Sequence, residues 1–365
     1  MIRPLIDIAV RRLQTQRLVG EPFASVVDAV AWLGAVQAQD YAAAKWALGQ
    51  RTSDALDADL DRLCDEGAIL RTHVMRPTWH FVLPDDIRWL LDLTAPRVKA
   101  KSGPLRAAAR GGSALAAAQL RRHRISAAGR PQPDEGGARV GLGKGWDPRR
   151  WSPAGAPPDG SRAGCDRRQR SAPRQAVDLR IAGGARAIRS PARPREALAE
   201  LTRRYFTGHG PAQVQDFAWW SGLTVADVRR GLAMVGRALA REEIGGKEYW
   251  SSPDAPVAPL RPPVVNLLPN YDEFLVAYRD RAASFDPTRG FDTAPFPYGS
   301  LLAHTVLLNG QVWGGWKRRL TSKELVVVLG PLDVLDETED AALRQAARRY
   351  ARFLGIPVTL AGPPE

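Results

Sequence analysis

The chain has 365 residues, enough for a large core and two or more domains. It contains no apolar run long enough to span a membrane and no signal-peptide core at its start, and its two cysteines, Cys64 and Cys165, have neither zinc nor disulfide spacing. The net charge of +13 is confined to one segment: residues 102–193 hold 18 arginines and one lysine against six acids, so the rest is neutral and bulk charge gives no argument for nucleic acid. These bounds predict a cytoplasmic protein with no membrane contact.

Residues 1–20 read as a helix with Ile6, Ile8, Ala9, Val10, Leu13 and Leu18 as its apolar positions. Arg11, Arg12 and Arg17 lie between them, as a solvated face or as phosphate ligands. A second helix over 24–33 ends at Gly34, where a helix can stop. The stretch Leu33 to Asp40 follows and carries two amides, Gln37 and Gln39. On a helix, side chains two apart diverge by about 200°; on an extended segment they share a face. The spacing therefore aims both glutamines one way, as surface or capping groups or as a pair converging on one point. Helices over 42–48 and 57–66 come next, and then Ile69 to Val82, whose rough alternation reads as strands. His73 and His80 on that ribbon are structural or functional. Pro84, Asp85 and Asp86 open a further helix. Helices followed by a β-ribbon is the order of a winged helix.

Residues 102–191 break the pattern, being rich in Arg, Gly, Ala, Pro and Ser and poor in apolar periodicity. Composition alone suggests a disordered linker. Permitted codons for 174–184, shifted by one base, can instead read GKQLTYASLEE, which has the helical character that the printed residues lack. The same shift works over 134–144 and 163–174. The segment is therefore read as an out-of-frame translation, with a true linker as the alternative.

Order returns with a helix from Glu196 to Phe206. Gly210 and Pro211 open the next helix, Ser221-Gly222-Leu223 makes a turn, and Thr224 caps a helix over 225–236 carrying Arg229 and Arg230. Ile244 to Trp250 reads as a hairpin turning at Gly245-Gly246, which completes a second winged helix. The tail offers a strand at 264–268, a hairpin turning at Asn309-Gly310, a strand at 324–329, an amphipathic helix over 338–354 and a closing strand at 356–360. A small β-barrel with a covering helix fits that pattern. Asp272 and Glu273 could supply a carboxylate, or pair with Arg279 or Arg281.

These pieces together resemble a bacterial family of winged-helix DNA glycosylases that unhook interstrand crosslinks. The carrying residues are Leu33 to Asp40, Arg71-Thr72-His73, Arg76 to His80, His209-Gly210-Pro211, Asp216 to Leu223, Tyr271-Asp272-Glu273 and Tyr278 to Arg281. The likeness covers about 1–101 and 192–365. It implies an α+β fold of tandem winged-helix units and a small C-terminal β-barrel, with the middle unit disrupted here. The first unit would be 1–101, the disrupted segment 102–191, the third winged helix 192–262 and the barrel 263–365. The family's catalytic motif is Gln, an apolar residue, then Gln or Asp, which Gln37-Ala38-Gln39 matches.

By resemblance the chain is a monomeric DNA glycosylase without metal or cofactor. Gln37 and Gln39 would be catalytic, and Arg71, His73, Arg76, Arg229 and Arg230 would hold duplex DNA bearing alkylated or crosslinked purines. An N7-alkylguanine already carries positive charge and leaves C1′ without a general acid, so oriented amide dipoles and a placed water would suffice. The competing expectation is a non-catalytic winged-helix DNA-binding protein or regulator, and a third is a degenerate gene product that does neither.

Overall fold

The structure, a computed structural model, describes residues 2–76, 78–110, 194–255, 259–261, 263–285, 304–320, 324–331 and 334–361. The segment read as out of frame lies outside the described residues from position 111 to its end.

The N-terminal part runs α1 (Ile2–Thr15), α2 (Val26–Leu33), β1 (Val36–Gln37), α3 (Tyr41–Gly49), α4 (Asp57–Asp65), β2 (Leu70–Val74), β3 (Thr78–Val82) and α5 (Ile87–Arg110). Ser25 caps α2 by accepting from the Asp28 N–H, and Gly34 ends it at φ 74, a conformation open to glycine. Chain direction changes there, and Val36 and Gln37 join the edge of the β2–β3 hairpin. In that three-stranded sheet, β3 is central: Val36 pairs with Phe81 and Gln37 with His80 on one side, while Thr72 pairs with His80 on the other. Helix α5 continues to Arg110, past the expected unit end at 101.

The second described part runs α6 (Pro194–His209), α7 (Val214–Ser221), α8 (Val225–Val235), β4 (Ala240–Ile244) and β5 (Lys247–Ser251). Gly222, at φ 75, turns α7 into α8, and Ile244 pairs with Lys247 across the Gly245-Gly246 turn. The Thr224 hydroxyl accepts from the Asp227 N–H, and the Asp227 carboxylate accepts from the Thr224 N–H. This reciprocal cap satisfies two backbone donors that would otherwise be left over at a helix start. Thr224→Ala is expected to lower stability by about 1 kcal/mol, read as a lower urea midpoint with an unchanged slope.

The tail comprises β6 (Val265–Leu268), α9 (Glu273–Val276), β7 (Thr305–Leu308), β8 (Gln311–Leu320), β9 (Leu325–Pro331), α10 (Glu337–Leu354) and β10 (Val358–Ala361). The sheet order is β10-β9-β8-β7-β6, with only the β10–β9 pair parallel. Among the described residues its edge strands β6 and β10 do not pair with each other, so the sheet is an open half-barrel beneath α10. The fold is thus a mixed α+β architecture. No described helix is long and apolar enough to cross a membrane.

Two cores meet at the glutamine stretch. One joins α2, α3 and Phe81 to the C-terminal sheet and α10. Trp46 is its hinge pin: its indole N–H donates to the Leu267 carbonyl at 2.7 Å, and its ring lies against Tyr350 and Phe353. The other joins α5 to α6, α7 and α8. Val36 and Ala38 belong to the first core and Ala35 to the second. Alternating side chains of one extended run are buried in opposite directions, which fixes its register.

Arg11 and Arg12 of α1 take neither role expected of them. Arg12 is buried, lies 3.5 Å from the Tyr278 ring centroid, donates to the Pro211 carbonyl and sits 3.7 Å from Asp216. Arg11 pairs with Glu242 of β4. Both tie α1 to distant parts of the chain, so they are internal rivets.

Candidate active site

Extended backbone at positions 36–39 does what the spacing predicts. Ala38 donates its N–H to the Trp79 carbonyl at 2.7 Å, which continues the β1–β3 pairing beyond Gln37. That register sets Gln37 opposite His80 and Gln39 level with Thr78, so Gln37, Gln39, Thr78 and His80 share one face of the sheet. The two amides are not equivalent. Gln37 is only 2% exposed, and its Oε1 accepts from Arg76 Nη2 at 3.0 Å. Gln39 is half-buried, and its Oε1 lies 3.5 Å from the Trp79 backbone N–H.

Behind Gln37 stands a carboxylate in the protein interior. Glu273 Oε1 accepts the Gln37 backbone N–H at 2.7 Å, and Oε2 accepts the Trp220 indole N–H at 2.9 Å. His209 Nε2 is 3.5 Å from the same Oε2. Burial pushes the Glu273 carboxyl upward, but His209, the Gln37 N–H and His80 outweigh it and hold the group below the usual carboxylate range. A fixed negative charge therefore lies under the strand that carries the glutamines. Its neighbour Asp272 serves elsewhere, gripping Arg51 through both carboxylate oxygens at 2.7 and 2.9 Å. Neither acid takes Arg279 or Arg281 as partner: the Arg281 Nε–H donates to the Leu275 carbonyl, and the Arg279 N–H donates to Asp216.

The five candidate DNA ligands divide by position. Arg76 is part-buried beside Gln37, with its guanidinium 5.5 Å from the Trp219 ring centroid. Arg71 points inward: it is 8% exposed, donates to the Ala38 carbonyl at 3.0 Å and lies over the Trp79 ring at 4.5 Å. That contact braces the backbone between the two glutamines. His73 is exposed, and its ring lies tilted against Trp79 with the centroids 3.9 Å apart. Arg229 and Arg230 stand exposed on α8; Arg230 pairs with Asp227, and Arg229 borders a groove with Gln213, Lys247 and Trp250.

Sequence reasoning offered Glu273 with Asp272 as a carboxylate or an ion-pair partner and assigned no role to His209 or Trp220; the three come from separated stretches. The signal that links all three is that they lie within motifs shared with the glycosylases. No group of metal-ligating side chains able to hold an ion occurs among the described residues.

With that geometry in view, comparison with known proteins decides the family. A family model described as DNA glycosylase AlkZ-like matches residues 30–353. The chain belongs to the AlkZ-like DNA glycosylase family. That match contains Gln37-Ala38-Gln39, the β2–β3 hairpin and the Tyr271-Asp272-Glu273 turn. Among solved structures, the chain is similar to the Streptomyces sahachiroi DNA glycosylase AlkZ, at 17% identity with a TM-score of 0.62. The superposition covers 98% of this chain and 99% of that one, so the fold is shared. No curated protein matches the sequence.

Proposed function

We propose that this AlkZ-like glycosylase excises cationic alkylated purines such as N7-alkylguanine from duplex DNA and unhooks crosslinks made through them, with Gln37 and Gln39 as its catalytic pair. The observation that carries this reading is the shared face of Gln37 and Gln39 on an extended segment fixed between two cores. Two amide oxygens so held are preorganised dipoles, able to orient a water and to face positive charge as it grows on the sugar. Such dipoles are weaker than a carboxylate, so undamaged neutral bases are expected to resist.

The helix pairs and hairpins of both halves are read as winged helices, with Arg76, His73, Arg229 and Arg230 toward the phosphate backbone. Arg71 supports the site from within. Phosphate contacts of this kind make affinity fall as salt rises. The residues 102–191, taken as out of frame, would stand where a middle winged helix belongs. The test is single-turnover release of N7-alkylguanine from duplex DNA at fixed salt, by the chain as it stands and by a frame-restored version. Release by either chain, with intact unmodified DNA, supports the reading. Tight binding without release by both leaves the regulator alternative.

A further inference from the structure

His80 is the titratable member of the glutamine face. It lies directly across from Gln37 on β3 and is wholly buried. Its Nδ1 is 3.0 Å from the Thr78 carbonyl oxygen. A carbonyl can only accept, so Nδ1 carries the proton, and in the neutral ring Nε2 is left with a free lone pair. That Nε2 has no hydrogen-bond partner among the described residues, and neither does the buried hydroxyl of Thr78 on the same face. Buried polar atoms without partners are rare, and two together commonly mark a water or a ligand.

We infer that His80 is a further catalytic residue: its Nε2 accepts a hydrogen bond from the attacking water and takes the proton as that water adds to C1′. This rests on the glycosylase reading above. The water oxygen forms a bond to C1′ while the C1′–N9 bond of the alkylated purine breaks. The bonding pair goes to N9 and neutralises the base, and the proton passes to Nε2 and then to solvent. The ring begins neutral at working pH because burial, and next the Arg76 guanidinium, lower its pKa to about 4. A base that weak suffices when the electrophile is a sugar cation, since water acidifies as it adds. Three titratable groups act on the ring: Arg76 and His73 oppose its charging, and Glu273 favours it. The buried carboxylate beneath Gln37 thus steadies the imidazolium that forms.

The experiment uses the full chain and its His80→Ala and His80→Gln variants, with N7-methylguanine duplex as probe. Single-turnover release, duplex affinity and thermal melting are measured for each. A positioned base typically contributes about 10²–10⁴ in rate. His80→Ala is expected to lose at least roughly 10² in release with affinity within about twofold. Added imidazole is expected to restore rate in proportion to its concentration, and His80→Gln to recover part of it through its amide oxygen. Ring nitrogen NMR is expected to show a protonated Nδ1 and a bare Nε2. A His80→Ala rate within about threefold of the parent overturns the assignment, as does a loss that tracks the melting temperature and ignores imidazole. No release by either the parent chain or its frame-restored version, while the His80 spectrum is as expected, overturns the glycosylase reading instead.

Discussion

Gln37→Ala and Gln39→Ala are each expected to slow release of N7-alkylguanine by roughly 10²–10³, which is about 2.7–4 kcal/mol of barrier for one lost preorganised dipole. The double variant is expected to lose much less than the product of the two, because both amides act on one water and one sugar. Structure separates the two in stability. Gln37 is buried and accepts from Arg76, so truncation also removes an acceptor from a part-buried guanidinium and is expected to destabilise by about 1–3 kcal/mol. Gln39 is half-buried and its Oε1 makes a long contact to the Trp79 N–H, so its truncation is expected to lower melting less than that of Gln37. Gln39→Ala is therefore the cleaner catalytic test. Full activity in both variants, with each protein folded, would end the catalytic role of the pair.

Arg51→Ala and Asp272→Ala are expected to have the largest effects on stability, about 3–5 kcal/mol each, because either leaves an uncompensated charge in the interior. Both partners are at most 1% exposed, and Gln16 and Gln50 complete the network through Arg51 Nη2 and Asp272 Oδ2. The pair also links α3 to the turn that starts α9, where Asp272 accepts the Phe274 N–H. Loss of Asp272 is therefore expected to release Glu273 from beneath Gln37 as well as to weaken the fold. Urea unfolding of the full chain reads the first effect. A double-mutant cycle separates the pair's own coupling from the cost of each orphan. A drop of under about 1 kcal/mol in either single variant would show that water reaches the pair and screens it.

Local sequence determined the elements. Hydrophobic period and caps placed α1 to α4, Asn309-Gly310 and Gly245-Gly246 placed two hairpins, and Gly355 ended α10, because each depends on near neighbours in the chain. The extended form of Gln37-Ala38-Gln39 was also legible, since two amides with one aim require it. Tertiary structure alone decided which atoms those amides meet. Val36 and Gln37 became a sheet edge because β3 offered free backbone groups, and that pairing brought His80 and Thr78 to the same face. Glu273 arrives from 236 residues away and Trp220 from 53 residues before Glu273. Arg12 and Arg71, which the sequence presents as candidates for solvent or phosphate, are drawn inside by Asp216, Tyr278, Trp79 and the Ala38 carbonyl. Periodicity tells which face of an element is apolar. A buried charge depends on a partner brought by the fold, and no local pattern encodes that partner's place.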